Sequence, residues 1–261
     1  MIHPSAVISN NTEIHETSNI GPFCVIGSGV KIGKNNNLIS HVSITGETTV
    51  ENNNTFYPFC SIGSEPQDLK YNKEKSFLKI GSNNNFRENV TVNPGTSGGG
   101  LNTIIADNCL FMVGSHIAHD CIIKSNVILA NNATLAGHVE IDNNAILGGN
   151  SAIHQFVRVG KYAMIGGMSG VEKDIIPYGL YTGIRVNLKS LNLIGLKRKG
   201  IKSNSINEIK NLVNVIFDKN DTIENNLKKN IVANSEILEI KEVIEFINSK
   251  SKRGIAIFEN D

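Results

Sequence analysis

Residues 128–171 read ILANNATLAGHVEIDNNAILGGNSAIHQFVRVGKYAMIGGMSGV, and every sixth residue from Leu129 to Val171 is aliphatic. The same spacing extends back to Ile105, and an earlier run from Ile2 to Ile62 also lacks a polar residue. Only 40% of the chain is hydrophobic, so uninterrupted runs of this length do not arise by chance. An internal repeat of this kind decides the architecture before any local pattern is considered.

A six-residue period does not fit an α-helix, because apolar residues at that spacing would spiral around the helix axis. It fits a short strand followed by a corner, so that three hexads make one triangular coil of about 18 residues and coils stack at about 4.8 Å. The fifth position of each hexad is mostly small or β-branched and includes all four cysteines, which we interpret as core filler. Asparagine clusters suit the corners, because asparagine tolerates the left-handed backbone region. The sequence therefore predicts an all-β fold, a parallel β-helix.

The hexads are interrupted at residues 66–79 and 94–104 and stop after Val171. Insertions into a solenoid protrude as loops, often on the binding face. Residues 191–200, 205–217 and 235–250 show the three- and four-residue spacing of amphipathic helices. We therefore predict a β-helix over residues 1–186, with loops at both interruptions, and a C-terminal helical domain over residues 187–261.

Composition excludes several classes of protein. The chain has 25 Lys and Arg against 24 Asp and Glu, so overall charge gives no support to nucleic-acid binding. No stretch has the roughly 20 apolar residues of a membrane span, and the first 15 residues lack the pattern of a signal peptide, so a cytoplasmic protein is expected. No C-x-x-C pair suggests a zinc or redox site.

Four of the seven histidines, His116, His119, His138 and His154, are concentrated in the third run of hexads. Counting 18 residues per coil places His138 almost directly above His119. Such histidines can be solvated corner residues, metal ligands or general bases. Asp120 could orient an imidazole, although neighbouring side chains on a strand point to opposite sides.

Several motifs resemble the UDP-N-acetylglucosamine acyltransferases over essentially the whole chain. They are QDLKY (67–71), RENVTVNPGT (87–96), HIAHDC (116–121), ILANNATLAGHV (128–139), HQF (154–156), GGMSGV (166–171) and GLKRKG (195–200). The resemblance implies left-handed coils, which the period alone does not. It also implies transfer of an R-3-hydroxyacyl group from acyl carrier protein to the 3-hydroxyl of UDP-N-acetylglucosamine, the first step of lipid A synthesis.

The same resemblance assigns roles to residues of this chain. His119 is expected to be the general base with Asp120 beside it, and the backbone amide of Gly137 is expected to stabilise the oxyanion. Gly167 would lie along the acyl groove and limit chain length. The other expected substrate-binding residues are Gln67, Asp68, Lys70, His116, His138, His154, Gln155, Asn192, Arg198 and Lys199. No metal or other cofactor and no acyl-enzyme is implied.

The implied partners are acyl carrier protein, UDP-N-acetylglucosamine and two further copies of the chain, because the family forms homotrimers with sites between subunits. The loop at 66–79 would then reach a site completed by a neighbour. Acidic carrier protein would need a local basic patch, for which Arg158, Lys161, Lys197, Arg198, Lys199 and Lys202 are candidates. Three alternatives remain: acylation of a 3-amino UDP-sugar, the later N-acyltransferase of the same pathway, and a non-catalytic or zinc-binding hexapeptide scaffold.

Overall fold

The computed structural model describes residues 1–218, 220–229 and 237–258. Its first nine strands are β1 (Val7–Ile8), β2 (Glu13–Ile14), β3 (Asn19–Ile20), β4 (Val25–Ile26), β5 (Lys31–Ile32), β6 (Asn37–Leu38), β7 (Ser43–Ile44), β8 (Glu47–Val50) and β9 (Thr55–Phe56). The next nine are β10 (Ser61–Ile62), β11 (Phe77–Ile80), β12 (Asn85–Phe86), β13 (Thr91–Val92), β14 (Asn102–Ile105), β15 (Leu110–Phe111), β16 (His116–Ile117), β17 (Ile122–Ile123) and β18 (Ile128–Leu129). The last nine are β19 (Thr134–Leu135), β20 (Glu140–Ile141), β21 (Ile146–Leu147), β22 (Ala152–Ile153), β23 (Arg158–Val159), β24 (Met164–Ile165), β25 (Gly170–Val171), β26 (Gly179–Thr182) and β27 (Asn187–Leu191).

These strands form the three faces of a parallel β-helix, because each strand from β1 to β22 pairs with the third strand further along the chain. One sheet runs from β1 to β25, a second from β2 to β23, and a third from β3 through β24 to β26 and β27. In the third run of hexads the register advances by one coil of 18 residues, as in the pairing of Ile117 with Leu135. The six-residue prediction of a parallel β-helix is therefore confirmed.

The interior consists of stacked ladders of the first-position side chains. Ile20, Leu38, Phe56, Phe86 and Phe111 are fully buried or nearly so. The four cysteines are buried and unpaired as thiols, as the core-filler interpretation requires. Fully burying one of the aliphatic or aromatic side chains of these ladders contributes about 1.5–3 kcal/mol to folding stability, so the repeat stabilises the fold along its whole length.

The corners adopt the left-handed backbone region at six-residue intervals. The φ angles are 61° at Asn126, 59° at Asn132 and 62° at Asn144, but Asp120 and His138 have φ angles of 59° and 61° as well. Asparagine suits such positions because its short polar side chain tolerates positive φ. Function-bearing residues therefore occupy corner positions that asparagine holds elsewhere.

Both interruptions leave the coils as predicted, but each ends inside a strand. The first loop gives way to β11 at Phe77, and the second contains a 3-10 helix at Ser97–Gly99 before β14 begins at Asn102. β11 pairs with both β8 and β14, and these four-residue strands lengthen the ladder between the two loops.

Four helices follow the coils: α1 (Leu193–Arg198), α2 (Ser203–Ile216), α3 (Ile223–Lys229) and α4 (Leu238–Asn248). α1, α2 and α4 confirm the three predicted helices, although residues 235 and 236 lie outside the described residues, and α3 was not predicted. α2 buries a stripe of aliphatic side chains that packs with α3 and α4. None of the helices in the described ranges is long and apolar enough to cross a bilayer.

The helical part is joined closely to the coils. β27 pairs antiparallel with β26, so residues 187–191 continue the third sheet. Asp174 is buried and pairs with Arg158, and the guanidinium of Arg158 also lies over the ring of Phe246 in α4. A domain boundary after residue 186 stays a prediction.

Candidate active site

His119 and Asp120 occupy one corner between β16 and β17, and their side chains face each other. Nδ1 of His119 lies 2.8 Å from Oδ2 of Asp120. The expectation that strand neighbours point apart does not apply, because Asp120 has a φ of 59° and turns the backbone at the corner. The carboxylate is therefore placed to accept the Nδ1 proton, which leaves Nε2 of His119 as the basic nitrogen.

The second loop holds Asp120 from the other side. Thr96 donates its backbone N–H to Oδ1 at 3.0 Å and to Oδ2 at 3.1 Å, and its hydroxyl to Oδ2 at 2.6 Å. Thr103 accepts the backbone N–H of Asp120 at 2.8 Å. Burial alone would raise the pKa of Asp120, but the hydrogen bonds from His119 and Thr96 outweigh it and lower the pKa. Asp120 is thus an ionised, fixed acceptor.

Gly137 lies one coil above His119. A Cβ at Gly137 would be 2.4 Å from Cε1 and 2.5 Å from Nε2 of the His119 ring. The ring therefore stacks on bare backbone, which only glycine provides. Among the described residues, the N–H of Gly137 has no hydrogen-bond acceptor.

A column of rings rises from His119. His138 meets His119 edge-on with centroids 5.1 Å apart, and Phe156 stacks on His138 at 4.4 Å. The ammonium of Lys252 lies 4.1 Å from the centroid of Phe156. Burial lowers the pKa of His138, with further lowering by His119 and Lys252, against an opposing effect of Asp120. The predicted stacking of His138 above His119 is confirmed.

The first loop reaches this column within the same chain. Oδ2 of Asp68 lies 3.9 Å from Nε2 of His119, while Gln67 and Lys70 are exposed on either side of Asp68. His116 is close by in β16, where its Nδ1 lies 2.7 Å from the hydroxyl of Thr91. Burial, and then the charge of His119, lower the pKa of His116. Asp68 thus lies beside the His119 of its own chain, and the completion of this site by a neighbouring subunit stays a prediction.

His154 and Gln155 lie at the same edge, two coils above, where both side chains are exposed. Arg253 of the C-terminal part donates to Nδ1 of His154 and to the carbonyl of Gln155. These contacts extend the column and bring a residue of the helical part to it.

Four predicted residues are not joined to His119 by any contact between described residues. Gly167 lies at an exposed corner after β24. Asn192 caps α1, where its Oδ1 accepts the N–H of Gly195, and Arg198 is exposed at the end of that helix. Lys199 lies over the rings of Tyr162 and Tyr178 and pairs with Glu239 at 3.4 Å.

Sequence reasoning missed Thr96, Thr103, Phe156, Lys252 and Arg253. Thr96 and Phe156 belong to the motifs at 87–96 and 154–156, so the sequence could have indicated them as site residues. Lys252 and Arg253 follow the last helix and gave none, because no period links them to the coils.

His119, Asp120 and His138 also present donor atoms within 4.8 Å of one another, a spacing that could hold a metal ion. Oδ2 of Asp120 is already engaged by His119 and Thr96. A metal bound to this oxygen would compete with both hydrogen bonds.

Known proteins resemble this chain over nearly its whole length. Residues 174–256 match the family model described as UDP N-acetylglucosamine O-acyltransferase, domain 2, and residues 102–137 match the bacterial transferase hexapeptide model. The chain is 45% identical to the acyl-[acyl-carrier-protein]–UDP-N-acetylglucosamine O-acyltransferase of Thermodesulfovibrio yellowstonii, covering 97% of this chain and 98% of that one. The chain belongs to the UDP-N-acetylglucosamine acyltransferase family.

Further relatives agree. The corresponding enzyme of Rhizobium johnstonii is 38% identical, covering 98% of this chain and 94% of that one. The solved structure of the Francisella novicida UDP-N-acetylglucosamine acyltransferase superposes with a TM-score of 0.95 at 37% identity, over 100% of this chain and 95% of that one. The predicted left-handed parallel β-helix with a small C-terminal α-helical part is therefore confirmed.

Proposed function

We propose that the protein transfers an R-3-hydroxyacyl group from acyl carrier protein to the 3-hydroxyl of UDP-N-acetylglucosamine, opening lipid A synthesis. The observation that carries the proposal is the hydrogen bond of 2.8 Å between Nδ1 of His119 and Asp120. It leaves Nε2 as a base beside Asp68, which the resemblance assigns to substrate binding, and beneath the free amide of Gly137.

The reaction follows from this geometry. Nε2 of His119 removes the proton of the sugar 3-hydroxyl while that oxygen attacks the thioester carbonyl. The N–H of Gly137 donates to the oxygen on which negative charge develops. Collapse of the tetrahedral intermediate expels the carrier's thiolate, which takes the proton from His119 and leaves as the thiol. Asp120 stabilises the imidazolium between the two proton transfers.

A covalent acyl-enzyme on cysteine is disfavoured. Cys121, next to Asp120, is fully buried, and burial raises the pKa of its thiol to about 12. Thiols act as nucleophiles in their ionised form, so direct attack by the sugar hydroxyl is the better supported route.

The substrates would be held by residues along the same edge and by a neighbouring subunit. The proposed binding residues are Gln67, Asp68, Lys70, His116, His138, His154, Gln155, Gly167, Asn192, Arg198 and Lys199. No contact between described residues of one chain joins Gly167, Asn192, Arg198 or Lys199 to His119, which supports a homotrimer whose sites combine two chains. Closed cyclic assembly is the common solution for such oligomers. The proposed compartment is the cytoplasm.

The proposed surface for binding acyl carrier protein contains fewer basic residues than the six candidates from the sequence. Arg158, Lys161 and Lys199 each pair with a carboxylate, on Asp174, Glu242 and Glu239. Lys197, Arg198 and Lys202 are exposed near α1. These three are the better candidates for an acidic partner, and such contacts weaken as salt rises.

One assay tests the proposal and its alternatives. Purified protein is incubated with R-3-hydroxyacyl carrier proteins of several lengths and with UDP-N-acetylglucosamine or its 3-amino analogue, and products are identified by mass. An ester on the 3-hydroxyl is expected, an amide would favour the amino sugar, and no product would favour a scaffold. Chelation with elemental analysis separates the zinc alternative, because turnover of the proposed enzyme should survive removal of metal.

A further inference from the structure

Residues 251–256, which follow α4, lie at the upper end of the column of rings formed by His119, His138 and Phe156. Asp174 donates its N–H to the carbonyl of Gly254 at 2.8 Å, and Ala256 donates to the carbonyl of Asp174 at 2.9 Å. Ser251 accepts the N–H groups of Arg253 and Gly254. Because Asp174 is itself held by Arg158, the backbone of this segment is fixed to the coils.

From this fixed backbone, the side chain of Arg253 makes hydrogen bonds to the corner at residues 154 and 155. Its Nε donates to the carbonyl of Gln155 at 2.7 Å, and a terminal guanidinium nitrogen lies 2.5 Å from Nδ1 of His154. A guanidinium has donors and no acceptor, so Nδ1 of His154 must be the acceptor. The neutral imidazole then carries its proton on Nε2.

A competing contact does not change this assignment. Nδ1 of His154 is also 3.5 Å from the carbonyl of Gln155, which would require a proton on Nδ1. That distance is at the outer limit of a hydrogen bond, and the carbonyl already accepts from Arg253. The shorter contact, whose donor cannot reverse its role, sets the tautomer.

We propose that Arg253 is a positioning residue that fixes His154 as a neutral donor through Nε2–H for a phosphate oxygen of a substrate. The ligand part of this inference rests on the proposed function, and the tautomer part does not. The His154 side chain is exposed, and its Nε2 has no hydrogen-bond partner among the described residues. A single N–H donor next to a guanidinium suits an anionic oxygen, which both the nucleotide diphosphate and the carrier's phosphopantetheine arm present.

Lys252 provides a matched control. It is adjacent in sequence and carries the same charge, but it contacts the ring of Phe156 and not His154. Lys252→Met removes a cation from the same segment and keeps the guanidinium. Arg253→Met removes the guanidinium with a side chain of similar length, and Arg253→Lys restores one donor.

The tautomer is measured first, in the full-length protein with 15N-labelled histidine at about pH 8, where an ordinary imidazole is neutral. His154→Ala assigns its signals. Wild type and Lys252→Met should show an unprotonated Nδ1 and a protonated Nε2, and Arg253→Met should show a mixture. A mixture or an Nδ1–H tautomer in the wild type would overturn the assignment, and this outcome does not depend on the folding of either Arg253 variant.

Kinetics then test whether Arg253 acts through His154. Arg253→Met should raise one Michaelis constant by up to about tenfold, the factor for one lost hydrogen bond to a charged group, because the His154 ring loses its fixed orientation as well as its single tautomer. The kcat should stay nearly unchanged. A rise for UDP-N-acetylglucosamine identifies the diphosphate as the ligand, and a rise for acyl carrier protein identifies the pantetheine phosphate. Arg253→Lys should recover part of the loss.

A double-mutant cycle gives the decisive comparison. In a His154→Ala background, Arg253→Met should change the Michaelis constant by less than about twofold, because its target is gone. An undiminished tenfold effect would show that Arg253 acts elsewhere and would overturn the proposal. If the wild-type tautomer is as expected but no acyl transfer occurs with any substrate, the proposed function fails while the tautomer assignment stands.

Discussion

The imidazole of His119 rests directly on the backbone of Gly137, since a Cβ built on that glycine would lie 2.5 Å from Nε2 of His119. Gly137 is thus needed both for the position of the base and for the amide that faces the reacting oxygen. The two roles that the reaction requires come from residues one coil apart.

Gly137→Ala should displace the His119 ring, because no side-chain methyl group fits at that distance. We expect kcat to fall by at least about 100-fold, the effect of moving a catalytic group by about 1 Å. Steady-state kinetics measure it. Gly98→Ala is the control, since the nearest atom to its Cβ would be 3.8 Å away, and its kcat should stay near wild type. A normal rate for Gly137→Ala in a folded protein would contradict the stacked geometry.

Asp120→Asn should be as damaging as Asp120→Ala, although it preserves shape. The backbone N–H of Thr96 donates to both carboxylate oxygens, at 3.0 and 3.1 Å, so an amide nitrogen at either position opposes a donor. An amide nitrogen at the Oδ2 position would also face Nδ1 of His119 and force the proton onto Nε2, where the base is needed. An amide nitrogen at the Oδ1 position would break the contact with Thr96 that holds the side chain. We expect kcat to fall about 10²- to 10⁴-fold. A rate within tenfold of wild type would mean that the carboxylate does not set the His119 tautomer.

Much of this molecule follows from the six-residue period, which predicted the ladders, the asparagine corners and the stacking of His138 over His119. The hydrogen bonds made by individual side chains could not be predicted from this period. Asn36, Asn54 and Asn84 occupy interior positions where small residues were expected, because each amide oxygen accepts the backbone N–H one coil above. A period specifies which residues stack but not which polar groups satisfy one another.

The site shows the same limit. The pairing of His119 with Asp120 depends on a positive φ at Asp120 that alternation along a strand does not predict. The approach of Arg253 to His154 joins positions 99 residues apart, and no repeat connects them.

Gly167→Met should shorten the preferred acyl chain. Gly167 has no left-handed φ that would demand glycine, and a Cβ there would have only the carbonyl oxygen of Gly149 within 3.2 Å. The corner of the preceding coil is also glycine, at Gly148 and Gly149, so this surface is open. Because this surface is open, we expect the wild type to prefer chains of about 12 to 14 carbons or more. A methionine that excludes four methylenes of the acyl chain from the groove would cost roughly 3 kcal/mol of binding free energy.

The measurement is the ratio of specificity constants for 14- and 10-carbon donors, which should fall about 100-fold in Gly167→Met. Gly167→Ala serves as a graded control with a smaller shift. An unchanged ratio in folded Gly167→Met would place the end of the groove elsewhere.

Mixed trimers should reveal which residues share a chain within one site. His119→Ala and Arg198→Ala chains, each inactive alone, should regain activity when denatured and refolded together, because the proposed site takes these residues from different chains. His119→Ala and Asp68→Ala chains should not, because Asp68 lies 3.9 Å from His119 in one chain. Activity of mixed and unmixed samples is compared at equal concentration. Recovery in the second mixture alone would reverse the assignment of the first loop.

The most direct test of general-base catalysis is the kcat of His119→Ala with R-3-hydroxyacyl carrier protein and UDP-N-acetylglucosamine, measured on protein shown to be folded and of wild-type assembly. We predict a fall of about 10²- to 10⁴-fold with little change in either Michaelis constant, because His119 acts on the transferred proton. A kcat within a few-fold of wild type would show that another group removes that proton and would contradict the proposed mechanism.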